Sequence, residues 1–191
     1  MRYLLAVDPS LTCSGWALFC LKTKQLLAVG KVKGPKPAGN TLSSRYEDIQ
    51  NQVSLLFKHF ELSSTDIVLC EAETTVKDPK AAFKVERVRG IFETVARTFG
   101  CKVPGRVNPR TVHFEVMGLR GKQLKREIIK DTALQTAFSL YASTVKALGL
   151  GESSSSLKKH QDIVDAILVG HVAVSRINSA IKTGVPVETC F

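Results

Sequence analysis

Two acidic residues each close a short apolar run: Asp8 follows LLAV and Glu71 follows IVLC. Such continuous apolar runs fit strands buried on both faces, and ligands of open α/β sheets collect beyond the carboxyl ends of the strands. Either acid alone reads as an ordinary turn or surface residue; two in equivalent positions invite a shared site. Asp162 and Asp165 supply a second pair, in HQDIVDAILVGHVA. On a helix, residues three apart share a face, about 5–6 Å between Cβ atoms. The apolar residues after Asp165 require that helix to pack closely. Capping explains one acid there, but two like charges at the start of a buried helix repel unless a cation or the helix N-terminus compensates them.

Four carboxylates without a cysteine or histidine pattern suit hard, oxygen-preferring cations, magnesium or manganese. Two such ions about 3.5–4 Å apart clamp the attacking water and the leaving oxygen of a phosphodiester in an in-line displacement. Composition supplies a matching substrate. Lys and Arg number 27 against 17 Asp and Glu, a formal net charge of +10, which favours an anionic partner, nucleic acid ahead of an acidic membrane surface. No uninterrupted apolar run approaches the ~18–20 residues that span a bilayer, so no membrane partner is expected. MRYLLAVDPS also lacks the longer apolar region and cleavage site of a secretory signal. The five cysteines are scattered and form no CxxC pair, as expected of reduced, mostly buried thiols in a cytoplasmic protein.

The elements that must carry these acids are legible in outline. Apolar runs at residues 3–7, 16–21 and 26–32, joined by tight polar turns, predict three strands in an antiparallel meander. Tyr46, Ile49, Val53, Leu56, Phe57 and Phe60 fall at helical spacing. A fourth strand ends at Glu71, and Pro79 opens a helix whose buried face is expected to hold Phe83, Val88, Ile91, Phe92 and Val95, with Gly100 marking its end. Residues 102–107 suggest a fifth strand despite Pro104 and Gly105. Asn108 and Pro109 start a short helical stretch, and residues 123–141 a longer helix. The serine-rich stretch 149–159 reads as a mobile connector before the last long helix, from about His160 to Lys182. A single α/β domain over residues 1–191 follows, a mixed five-stranded sheet with helices on both faces and a C-terminal tail from about residue 183.

Taken together these residues resemble the RuvC family of crossover-junction endodeoxyribonucleases. VDPSLTCSGWAL is similar to that family's first-strand motif, IVLCE to its fourth-strand acid, VERVRG to the Arg-Gly pattern on the following helix, and DIVDAILVGHVA to its C-terminal helix. The likeness in order and spacing runs from about Tyr3 to Val174. It implies an RNase H-like fold and a metal-binding catalytic tetrad of Asp8, Glu71, Asp162 and Asp165 on two Mg2+ ions, for which Mn2+ may substitute. It further implies a homodimer making symmetric paired cuts in a four-way junction. One departure is plain: EAETTVKD has Thr74 about where the family commonly carries an aromatic residue.

Lys77, Lys80, Lys84 and Arg87 follow Glu71; Arg120, Lys122 and Lys125 precede the fourth helix; Lys158 and Lys159 precede the acidic pair. Each alone is a solvated side chain; as a group near the acids they read as a track for the DNA backbone. By the resemblance, Lys122 or Lys125 is similar to a lysine near the scissile phosphate. Arg89 is expected to pair either with DNA or with an acid. His160, two residues before Asp162, is positioned to assist a water or leaving group, or simply occupies a first helical turn. His171 and Trp16 read as core. An actin-like or sugar-kinase-like ATPase would share the first-strand acid but needs a second phosphate loop, which is missing, so no nucleotide cofactor is expected. Two alternatives stay open: a nuclease for flaps, forks or other branched DNA, and a DNA-junction-binding scaffold without catalysis.

Overall fold

The computed structural model describes residues 1–73, 78–120 and 125–191. Strands β1 (Tyr3–Asp8), β2 (Cys13–Cys20), β3 (Leu26–Lys33), β4 (Ile67–Glu71) and β5 (Arg106–Val107) form one sheet in the order β3-β2-β1-β4-β5. The first three pair antiparallel, as expected from their short connections, whereas β4 lies parallel to β1 and β5 parallel to β4. The helices are α1 (Leu42–His59), α2 (Pro79–Thr98), α3 (Pro109–Glu115), α4 (Arg126–Ala147) and α5 (Gln161–Thr183).

The strand period of two divides the core. Leu4, Ala6, Phe19, Ile67 and Leu69 face α4 and α5, while Leu5, Val7, Leu18, Val68 and Cys70 face α1 and α2. Asp8 continues the series of Leu4 and Ala6, and Glu71 that of Ile67 and Leu69, so parity alone sends both carboxylates to the α5 side. The parallel register that sets Val7 against Cys70 then makes Asp8 and Glu71 neighbours.

Helix α5 buries Ile163, Val164, Ala166, Ile167, Leu168, Val169 and the apolar residues of its later turns. Glycine decides where it touches the sheet. A Cβ on Gly15 would lie 1.8 Å from the backbone oxygen of Asp162, and one on Gly170 would lie 2.1 Å from the ring of Phe19. Gly15 pairs directly with Asp8 across β1 and β2, so the first turn of α5 descends onto the sheet beside the first-strand acid. By length and composition the stretch Ser154–Thr183 could cross a membrane, although polar residues interrupt its apolar run. Its apolar residues are instead the core of this fold.

Several expectations need correcting. The serine-rich connector is ordered: Ser154–His160 form a 3₁₀ helix, with Ser153 and Ser156 capping each other, anchored by a fully buried Leu157. Helix α4 runs on to Ala147, bending at Tyr141 (φ −133°, ψ 27°). Strand β5 shrinks to two residues, since Pro104 cannot donate to a ladder. The segment after Gly184, a left-handed helix cap at φ 69°, is no free tail: Val187 is buried, Arg176 Nη1 donates to the Cys190 carbonyl at 2.8 Å, and Phe191 lies against Gly105. Phe83, expected in the core, is 72% exposed. Only Cys70 and Cys101 are buried among the five free cysteines.

Gly15→Ala tests the contact on which this geometry turns. A methyl group aimed at backbone cannot be absorbed by side-chain rotation, so the cost is expected at the upper end for overpacking, roughly 3 kcal/mol. In a thermal melt that corresponds to a fall of about 6–12 °C. Gly170→Ala costs less, because the edge of an aromatic ring gives way where a carbonyl cannot.

Candidate functional site

The turn after β1 is built to hold Asp8 still. Ser14 is fully buried; its hydroxyl accepts from Ser10 N at 2.9 Å and donates to the Ser10 carbonyl at 2.8 Å, closing the loop between β1 and β2. Glu71 is fixed from the other side. Arg89, 2% exposed on α2, donates from Nε to the Glu71 carbonyl at 2.8 Å and pairs with Glu86. Arg106 at the start of β5 bonds Glu86 and Glu93, each at 2.8 Å. Arg89 thus makes the structural pairing, and the Arg-Gly pattern reads as a brace for the fourth-strand acid.

The four carboxylates share one electrostatic environment. Asp8 is held well above the usual carboxylate range, first by burial and then by the charges of Glu71, Asp165 and Asp162. Glu71 is pushed up to about 7 by burial and by Asp165, against the pull of Arg89 and a hydrogen bond with Asp8. The same contact raises Asp8 and lowers Glu71. Asp165 rises to about 6 through burial and the charge of Asp162, with Gln161 and Lys130 opposing. The strand-end acids and the acids at the start of α5 are therefore close enough to feel one another's charge. Among the described residues, no three His, Cys, Asp or Glu side chains stand around a common point as placed. The reason is visible in their partners: Asp162 faces Lys31 Nζ at 3.0 Å, Asp165 accepts from Gln161 at 2.9 Å, and Asp8 turns to Glu71. The donor set still fits a divalent ion by chemistry, being all carboxylate oxygen and largely buried with excess negative charge.

A cavity of about 200 Å³ opens beside Glu71 and Asp165, walled by His113, Arg126, Lys130 and Gln161 among others. A smaller one of about 150 Å³ lies on the far side of Glu71, against Ala81, Ala82 and Val85 of α2. The basic residues sort accordingly. Lys158 and Lys159 are exposed on the turn leading to Asp162, Lys80 and Lys84 on the first turns of α2, and Lys125 at the N-terminus of α4. Arg87 lies over the Tyr46 ring at 4.8 Å and Arg120 over Phe114 at 5.5 Å, each leaving a charged edge outward. Lys77 and Lys122, with Thr74, lie outside the described residues.

His160 is the residue just before α5; burial, then Lys31 and Lys159, hold its pKa below the ordinary value. His171 accepts or donates with Tyr141 Oη at 2.8 Å and ties α5 to α4. Trp16 is in the core, edge-on to Phe60. Sequence reasoning missed Lys31 entirely. It also missed Cys13, whose thiol is raised by burial and by a hydrogen bond with Asp162.

No protein-family model and no curated protein matches this chain. Solved structures do. Thermus thermophilus RuvC superposes with TM-score 0.65 at 18% identity, over 96% of this chain and 98% of that one. The same organism's RuvC in complex with a Holliday junction substrate gives 0.63 at 17%, over 96% and 97%. The yeast mitochondrial Holliday junction resolvase Ydc2 gives 0.56 at 10%, over 95% and 84%. The fold is that of RuvC, an α/β fold of the RNase H-like kind.

The raised acids set a pH dependence. A carboxylate whose folded pKa exceeds its unfolded value contributes stability at acid pH that is lost as pH rises through the folded value. For Asp165 and Glu71 that window ends near 6 and 7. The melting temperature in chelator is therefore expected to fall between about pH 4 and about pH 7 through these groups and to level off above that. Asp8→Asn should raise it at the upper pH by about 2–4 °C, the equivalent of roughly 1 kcal/mol of relieved repulsion.

Proposed function

We propose that this protein is a divalent-metal-dependent DNA endonuclease that resolves Holliday junctions by symmetric paired incisions. The observation that carries the reading is the meeting of four carboxylates, three of them raised by burial and by one another, at one end of a RuvC-like sheet. Such a cluster is costly without a bound cation. Asp8, Glu71, Asp162 and Asp165 would hold two Mg2+ ions, with Mn2+ as a substitute. When bound, the ions supply an activated water and neutralise charge at the scissile phosphate.

The chain's own residues do the remainder. Ser14 and Arg89 keep the two strand-end acids from recoiling as they ionise. Lys80, Lys84, Arg87, Arg120, Lys125, Lys158 and Lys159, together with Lys77 and Lys122, would engage backbone phosphates and set register without reading bases. His160, two residues before Asp162, would accept a proton from water or return one to the leaving oxygen.

Paired cuts on a two-fold-symmetric substrate are most simply made by a homodimer with an isologous interface. The first half of α2 suits this. Phe83 is largely exposed, Ala81, Ala82 and Val85 are half-buried, and Gly90 faces open space. A partner seated there would lie one Arg89 hydrogen bond from Glu71.

Cleavage of synthetic four-way junctions, flaps, forks and linear duplex, with Mg2+ and with chelator, tests the reading. Junction cutting by wild type should vanish in chelator and drop by more than about 100-fold in Asp8→Asn, while junction binding persists or tightens. Equal cutting of flaps by a monomer in light scattering would replace the resolvase with a general branched-DNA nuclease; junction binding without any cutting would leave a scaffold. Affinity should also fall steeply with salt, and Lys158→Ala with Lys159→Ala should together lower the log–log slope by about 2. A flat salt response would exclude the backbone track.

A further inference from the structure

The register of the sheet lays a row of four positions across the site. Lys31 pairs with Gly15, Gly15 with Asp8, and Asp8 has Glu71 as its neighbour on β4. Gly15 contributes no side chain, and the start of α5 fills that gap. Lys31 therefore stands on the same face as the acids, one strand beyond the helix that brings Asp162. Its ammonium lies 3.0 Å from Asp162 Oδ2 and 3.4 Å from the Lys159 carbonyl. The side chain is only 19% exposed, unlike the exposed Lys80, Lys84, Lys125, Lys158 and Lys159. Among the described residues this is the only salt bridge made by any of the four acids.

We propose that Lys31 is a placeholder cation. It neutralises Asp162 while the site is empty, yields that carboxylate when a divalent ion binds, and then meets the backbone phosphate of the strand being cut. The inference rests on the metal-dependent reading above. A fixed charge of +1 beside Asp162 stabilises the empty site and opposes entry of a doubly charged ion. Once Asp162 turns to the ion, the freed ammonium remains at the rim of the cluster, where an anion approaching the ions must pass. Lys31 is then a positioning residue with two effects of opposite sign: it weakens ion binding and aids cleavage. A residue that merely props up β3 would not divide its effects in that way.

The test uses the whole chain and Mg2+ alone as probe. Thermal melts are run across an Mg2+ titration for wild type, Lys31→Met, Lys31→Gln and Lys31→Arg, followed by junction cleavage at saturating Mg2+. For the uncharged variants the ion-free melting temperature should fall, and the titration midpoint should move to lower Mg2+ by about 5-fold or more. Cleavage at saturation should drop by roughly 10-fold. Lys31→Arg should retain the wild-type midpoint. If Lys31→Met destabilises the fold too far for a melt, Lys31→Gln, which is shorter but keeps a hydrogen-bond donor, gives the same reading. A midpoint that stays put or moves to higher Mg2+ in the uncharged variants overturns the placeholder role and leaves the metal reading intact. No Mg2+-dependent rise in wild type removes both, because there is then no ion to compete with.

Discussion

The close approach of α5 to the sheet at Gly15 is the constraint from which the site follows. A helix normally rides well clear of a sheet, held off by side chains on both surfaces. Here one strand position has no side chain and the helix backbone occupies its place. The first turn of α5 is thereby lowered to the level of the strand ends, and two acids on that turn join two acids on β1 and β4. The electrostatic cost is visible in three raised pKa values. It is tolerated because the buried stretch from Ile163 to Ala180 and the apolar strands beneath it contribute far more by leaving water.

Around that point the molecule separates rigid support from adaptable contact. Ser14, Arg89, Glu86, Glu93 and Arg106 are fixed by hydrogen bonds within the fold, whereas the described lysines of the basic track, Lys80, Lys84, Lys125, Lys158 and Lys159, are exposed. Lys31 stands between the two groups, enclosed by the fold and bonded to Asp162 and to the Lys159 carbonyl.

Much of this was legible from sequence, for a definite reason. Acids at strand ends and acids three apart on a helix are local patterns, and strand parity converts them into a shared location without further information. What stayed hidden depends on non-local pairing. Lys31 looks like any lysine near the end of a strand until the β2–β3 register sets it beside Gly15. Phe83 belongs to the apolar stripe of α2 by spacing, but α1 covers only the later turns of that helix, where Val88, Phe92 and Val95 are buried. The serine-rich connector reads as mobile by composition because one buried leucine, Leu157, outweighs its polar neighbours only once α4 and α5 are in place. Residues 183–191 read as a tail because nothing local announces that Arg176 and Gly105 receive them.

The bracing cluster has a further bearing on how such a chain can change over generations. Arg89 and Glu93 are buried, Glu86 and Arg106 are partly covered, and the two cations balance the two anions. Loss of any one leaves a charge without its counterpart, most costly at the buried Arg89 and Glu93 and softened by solvent at Glu86 and Arg106. Replacement one residue at a time therefore descends into a valley before it climbs out. The four residues should be inherited as a block, or exchanged together for an uncharged set, and drift at any of them should be slow even though none touches the chemistry.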